Sequence, residues 1–210
     1  MKSEAMWDSL AKNWDSPGVS LGQNDIRIIE KTKKYLRASD TILDYGCATG
    51  SVALELAGTV SSVHGIDLSS NMIDIARNKA AERARSNAHF MHATIFDERL
   101  QPESFDLILS LSILHLVENP SEVVNRIYQL LKPQGKFVVA GPCLGERTLV
   151  SILLNLPIFL LSRIGLLPRI SFFSVSGLTS VISNEQFQIL ETDRLSVRPI
   201  TECFIVARKG

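Results

Sequence analysis

Several things are scarce in this chain, and each absence narrows what it does. An excess charge of one sign is missing: 22 basic and 22 acidic side chains cancel over 210 residues, so composition supplies no basic surface for nucleic acid. Cysteine is scarce and odd in number. Cys47, Cys143 and Cys203 show no metal-type spacing and read as reduced thiols of a cytoplasmic protein, not as a disulfide framework. The opening "MKSEAMWDSLAKNWDS" has no apolar core of a signal peptide, which argues against secretion. No internal repeat or low-complexity linker divides the chain. The longest uncharged run near the end, 148–162, is interrupted by Pro157 and is shorter than the roughly 18 residues expected of a bilayer-spanning helix. Hydrophobic residues still make up 45% of the chain, enough for one well-buried domain over 1–210.

Apolar runs alternate with helical patterns. The strands expected are 41–46, 61–67, 88–93, 104–111 and 136–141, and the helices are 50–57, 69–85 and 120–131. "DIRIIEKTKKYLR" (25–37) interleaves Ile26, Ile29 and Leu36 with charge and reads as an amphipathic surface helix. Near-continuous apolar strands between amphipathic helices imply a parallel sheet covered on both faces, a doubly wound α/β core. At the end, "EQFQILETDRLSV" and "ITECFIVARK" are separated only by Arg198 and Pro199. That gap is too short for a crossover helix, so the last two strands pair antiparallel.

The stretch "ILDYGCATGSVALELAG" (42–58) runs from strand through a glycine turn into helix, the place where open α/β sheets bind ligands. Gly46 and Gly50 bare the turn, and the helix start offers amide donors. A dinucleotide pyrophosphate would suit that geometry, but its fingerprint needs glycine where Ala48 stands and glycine or alanine where Ser51 stands. Asp44, just before the turn, decides between ligands: it repels phosphate and attracts an ammonium and a sulfonium. Asp67, about 20 residues past the loop at the end of the second strand, is placed to accept both hydroxyls of a ribose. An adenosine carrying an amino acid on sulfur meets both demands.

With those residues in view, the chain resembles the class I S-adenosylmethionine-dependent methyltransferase family, small-molecule type, across nearly its whole length. The motifs are "LDYGCATG" for the D-x-G-x-G-x-G loop, "GIDLSSNMIDIAR" for the second-strand acid and helix, "SFDLILSLSILHLV" for the fourth strand and "LLKPQGKFVVA" for the L-K-P-G-G turn into strand five. Each is weak alone; four in order are specific. Two positions depart from the pattern: Ala48 replaces the middle glycine and Gln134 the first glycine of the turn.

The resemblance implies a Rossmann-like seven-stranded sheet, mostly parallel with an antiparallel C-terminal hairpin. It implies S-adenosyl-L-methionine as cofactor, with Asp44 and the Gly46 backbone on the methionine amino group and Cys47, Ala48 and Gly50 completing the loop. Asp67 falls on the ribose, Leu68 and Met72 beside the adenine, Ala93 and Thr94 at the adenine edge, and Leu111 and Ser112 along the methionine portion. His92 stands where the family usually has an aspartate.

Methyl transfer from a sulfonium is an in-line displacement, and aligning the reactants supplies most of the acceleration, worth roughly 7–11 kcal/mol. A base is needed only for a protonated acceptor. His115, after the fourth strand, is either that base or orienting group or a residue packed at a helix start. His64 reads as structural and His89 as a half-exposed strand residue. Cys143 follows strand five rather than strand four, which argues against a covalent cysteine of the cytosine-methylating kind. "LSIL" stands where amide and adenine N-methyltransferases carry N/D-P-P-Y/F, and so nucleic-acid and Asn/Gln acceptors recede.

Trp7 and Trp14, each in a "WDS", lie two helical turns apart, so one helix face could carry both indoles. Residues 1–24 read as a helical lid, with Trp14 the closing residue, or as a helix docked by two aromatics. "TLVSILLNLPIFLLSRIGLLPRISFF" (148–173) has an apolar face too broad for an ordinary surface helix. It meets the core, a greasy substrate, a second subunit or, more weakly, a membrane surface through Arg147, Arg163 and Arg169. The insert 145–180 is read as a cap over a small, apolar or lipid-like acceptor. The competing class is a noncatalytic S-adenosylmethionine-binding module.

Overall fold

Strand alternation decides which side chains reach which face, and here the two faces are filled by different helices. The computed structural model describes residues 2–16, 21–145, 157, 170–183, 186–196 and 201–210. Its elements are α1 (Lys2–Ala11), α2 (Gln23–Lys33), β1 (Thr41–Tyr45), α3 (Ser51–Leu56), β2 (Ser62–Asp67), α4 (Ser70–Glu82), β3 (Ala88–His92) and β4 (Phe105–Leu111). A short 3-10 helix (Leu114–Leu116), α5 (Pro120–Leu130), β5 (Leu131–Pro142), α6 (Val175–Ser183), β6 (Phe187–Ser196) and β7 (Glu202–Lys209) follow. The seven strands form one sheet ordered β3-β2-β1-β4-β5-β7-β6. β1 to β5 pair in parallel, while β7 runs antiparallel to both β5 and β6. The expected architecture and closing hairpin are therefore present.

Ile42, Val63, Leu107, Leu109, Val138, Phe204 and Val206 point to one face, where they pack on α2, α3 and α4. Leu43, Ile66, Ile108, Phe137, Val139 and Ile205 point to the other, with α5 and α6. Every second residue of each strand thus enters one of two cores, each helix supplying an apolar stripe. The stripe of α5, Val123, Val124, Ile127 and Leu130, is wholly buried. Its start is written in "NPSE": the Asn119 side chain accepts the Glu122 amide at 3.3 Å and Pro120 fills the first helical turn. α4 begins in the same way, with Ser69 Oγ accepting the Met72 amide at 3.1 Å.

Several boundaries differ from the sequence expectation, α4 for example ending at Glu82 rather than 85. β5 starts at Leu131 rather than 136, because Leu131 pairs with Phe105 before a register shift brings Lys136 opposite Leu107. α2 stops at Lys33, short of Arg37. Helix α1 ends at Ala11, so Trp14 lies in the following turn and not on the helix that holds Trp7. The two indoles still meet edge to face, ring centroids 6.1 Å apart. Most of the expected cap insert lies outside the described residues. Its C-terminal part enters α6, whose Val175, Leu178 and Ile182 are buried in the core. Among the described residues no helix is long and apolar enough to cross a membrane.

Candidate functional site

The strand order turns around between β1 and β4: β2 and β3 grow outward on one side, β5, β7 and β6 on the other. At such a switch point the loops leaving the carboxyl ends diverge and open a crevice. On the β1 side the wall is mostly backbone. Gly46 (φ +76°), Ala48 (φ +46°) and Gly50 (φ +74°) all take left-handed conformations, so the alternate-glycine pattern survives as geometry even where alanine replaces glycine. A methyl at 48 in that region costs about 1 kcal/mol relative to glycine. Gly50 has no such freedom: a Cβ there would stand 2.7 Å from the Phe90 ring, and one on Gly46 would stand 3.1 Å from Ile113.

The turn is tied to the end of β2. The amides of Gly46 and Cys47 both donate to the Ile66 carbonyl, at 2.9 and 3.0 Å. The Ala48 amide donates to Asp67 Oδ2 at 3.0 Å, and the Ser69 amide donates to Asp67 Oδ1 at 2.9 Å. Two amides hold the Asp67 carboxylate in one orientation and leave its remaining lone pairs for a ligand. Burial raises its pKa, and those backbone amides and nearby His92 oppose the rise.

Asp44 is different. It is 2% exposed, and no described residue donates a hydrogen bond to its carboxylate. Burial, with the Asp67 charge added, pushes it up to about 7. Its neighbours share the effect: burial and Asp67 push Tyr45 up to about 12, and burial with both aspartates pushes the Cys47 thiol well above its ordinary range. A buried carboxylate without donors is costly unless something cationic completes it.

The second wall follows β4. Ser110 is fully buried and its hydroxyl has no partner among the described residues. Leu111 is half-buried and Ser112 exposed. Ser112 takes a left-handed turn (φ +54°) while its amide donates to the Ala140 carbonyl at 2.7 Å. That turn lays Ile113 over Gly46 and leads into the 3-10 helix. His115 is mostly buried there, its carbonyl accepting the Ser171 amide at 2.7 Å. Burial pushes its imidazole down to about 4.

Of the remaining expected residues, Met72 is buried (1%) and Leu68 is 40% exposed. Ala93 is buried and its amide donates to the Asp67 carbonyl at 3.0 Å; Thr94 is exposed. His92 Nε2 lies 2.8 Å from the Leu68 carbonyl and 3.4 Å from Glu4 Oε1 of α1. Cys143 is 1% exposed beside Cys203.

In the two "WDS" stretches the sequence shows the aromatic–aspartate pairs but not what the aspartates hold. Asp8 accepts Ser69 Oγ at 2.6 Å and the Asn71 amide at 3.2 Å, an added cap on α4 that lowers its own pKa. Asp15 accepts Thr49 Oγ1 at 2.9 Å and pairs with Lys79 at 3.2 Å; Lys79 in turn donates to Ser51 Oγ at 2.6 Å. The N-terminal segment is thus pinned to the glycine turn at one end and to the start of α4 at the other. The duplicated motif was the signal: an aspartate beside each tryptophan puts a hydrogen-bond acceptor next to each docking ring.

Comparison with known proteins agrees with this architecture. Residues 36–156 match a family model described as a methyltransferase domain, more than half of the chain. Phosphoethanolamine N-methyltransferase 2 of Caenorhabditis elegans is 30% identical over 139 residues, 65% of this chain and 31% of that protein. A ubiquinone biosynthesis O-methyltransferase of Coxiella burnetii is 28% identical over 138 residues, 63% of this chain and 58% of that one. The chain therefore spans less than two thirds of either relative. Among solved structures, the cyclase SpnF superposes with a TM-score of 0.80 at 16% identity, covering 99% of this chain and 96% of the other, a likeness of fold. S-adenosylmethionine is the cofactor of the family. With a sheet ordered 3-2-1-4-5-7-6, an acid before the glycine turn and another closing the second strand, the chain belongs to the class I S-adenosylmethionine-dependent methyltransferase family.

Proposed function

We propose that the chain transfers the methyl group of S-adenosylmethionine to a small, apolar or lipid-like acceptor. The observation that carries this reading is Asp44, a buried carboxylate beside a bared turn with no donor among the described residues. A phosphate there would meet one buried and one half-buried carboxylate; an ammonium satisfies both the charge and the missing hydrogen bonds. The residues present fit the cofactor. Asp44 and the Gly46 backbone hold its amino group, with Cys47, Ala48 and Gly50 shaping the loop around the methionine portion. The free lone pairs of Asp67 take the ribose hydroxyls. Leu68 and Met72 flank the adenine, Ala93 and Thr94 bound its edge, and Leu111 and Ser112 line the sulfur side. Residues 1–24 serve as the lid, latched by Asp8 and Asp15, with Trp14 closing against its partner Trp7.

The bound cofactor supplies an electrophilic methyl on a cationic sulfur. The protein supplies alignment and a dry pocket. Ile113 and Leu111 exclude water at the switch point. His115, neutral down to about pH 4, is too weak a base to strip a proton from a hydroxyl at neutral pH. It orients the acceptor by accepting a hydrogen bond on its imidazole. The apolar acceptor is supported by the insert 145–180, read as the cap, and by a relative named for ubiquinone biosynthesis.

A second reading, cofactor binding without methyl transfer, is kept by one observation: the superposing cyclase SpnF is named for another reaction. Calorimetry with S-adenosylmethionine, S-adenosylhomocysteine and NAD tests the crevice. Release of S-adenosylhomocysteine on offering pooled lipids, quinones and phenols then tests turnover. Binding of the sulfonium nucleoside with turnover is expected. Binding without turnover on any pool supports the second reading, and preference for NAD contradicts both.

A further inference from the structure

Two carboxylates stand at the ends of β1 and β2, and their surroundings are unequal. Asp67 receives the Ala48 and Ser69 amides on its two oxygens. Asp44, at 2% exposed, receives no hydrogen bond from any described residue. The titratable groups facing the pair are also unequal. From β1 and the turn come Tyr45 and Cys47, both held neutral by burial. From β3 comes His92, which faces Asp67. Asp15 of the N-terminal segment and Lys79 of α4 pair with each other on Thr49 and Ser51, at the outer side of the turn. Two neighbouring carboxylates, one buried and one half-buried, do not both carry charge without cost, and the one with amide donors keeps it.

The geometry points to Asp44 as a proton-linked receptor: it carries a proton while the crevice holds no cation, and releases it to solvent when an ammonium group settles against it. This rests on the proposed reading of the crevice as the seat of the cofactor's amino group. The balance is simple. A neutral carboxylic acid plus the ligand's ammonium gives a carboxylate–ammonium pair and one proton in the buffer, and no covalent bond of the ligand changes. Burial and Asp67 together push Asp44 up to about 7, so below that pH binding must first expel the proton. Affinity therefore falls with acidity, by about fivefold from pH 7 to pH 6. Both pH values lie below the range in which the ligand's own ammonium titrates.

Calorimetry with S-adenosylhomocysteine, which carries the same ammonium, tests this in two buffers of different ionisation enthalpy. The expected result is release of roughly half a proton per site at pH 7 and close to one at pH 6. Asp44→Asn should bind more weakly and release none, whereas His92→Gln should still release it. Ligand-free unfolding adds a readout independent of the cofactor. A carboxyl raised in the folded state loses stability as pH climbs from its ordinary value to its raised one. The Tm difference between Asp44→Asn and wild type should therefore move in favour of the variant from pH 5 to pH 7, then level. Binding without proton release, release that survives Asp44→Asn, or a Tm difference independent of pH overturns the inference alone. Failure of S-adenosylhomocysteine to bind at any pH overturns the reading of the crevice and this inference with it.

Discussion

The two walls of the crevice are built from different materials. The β1–β2 wall is backbone and carboxylate: left-handed residues at 46, 48 and 50, amides on Asp67, and an Asp44 that receives no donor from the described residues. The β4 wall is side chain: Leu111, Ile113 and a desolvated His115, ahead of a long apolar insert. Backbone and charge recognise a fixed ligand and tolerate few substitutions. Apolar side chains recognise shape and can be exchanged, which is how one fold serves many acceptors. The difference gives each wall its own kinetic signature.

The largest effect expected is on the acceptor side. Removing 148–170 should abolish turnover while cofactor affinity measured by calorimetry persists; loss of folding instead would make that segment part of the core. Next comes the cofactor side. Asp67→Ala should weaken cofactor binding by about 1–3 kcal/mol through a lost charged hydrogen bond, with acceptor KM little changed at saturating cofactor. Unchanged affinity would remove Asp67 from the ribose.

A smaller effect is expected at His115. His115→Gln should lower kcat by about tenfold or less, the worth of one orienting hydrogen bond, and leave cofactor affinity intact. Because burial pushes the imidazole down to about 4, kcat at saturating cofactor should show no histidine inflection from pH 5 to 8. An inflection near 6.5 would make it a general base in an open, hydrated pocket. The smallest effect tests the irregular stretch of β5 between Leu131 and Lys136. Gln134 holds φ +63°, so Gln134→Gly should stabilise by up to about 1 kcal/mol, raising Tm by roughly 2–4 °C without touching either ligand. A lower Tm would mean that its side chain contributes more than the backbone strain takes away.

The same contrast explains what could be read from the residues alone. Strand alternation and short caps such as "NPSE" are local, so the sheet, its helices and the closing hairpin were legible. Asp44, Gly46 and Asp67 stand out in the sequence because they sit in contiguous motifs, and the structure brings them together at the switch point. The start of β5 was not legible, since Leu131 joins the sheet through a bulge opposite Phe105, a long-range pairing that no local pattern announces. Nor was the latch. Asp8 on Ser69 and Asp15 on Thr49 join positions 61 and 34 residues apart, and a surface helix with two tryptophans does not say which turn it will dock against. The end of α1 at Ala11 shows the same limit: Trp14 reaches Trp7 from a turn, not from a shared helix face.

One measurement bears on all of this most directly: a crystal structure of the protein with S-adenosylhomocysteine. The amino nitrogen should lie within hydrogen-bond reach of the Asp44 carboxylate, with both ribose hydroxyls on Asp67. A nucleoside lodged elsewhere, or Asp44 still without a cationic partner beside a filled crevice, would contradict the assignment.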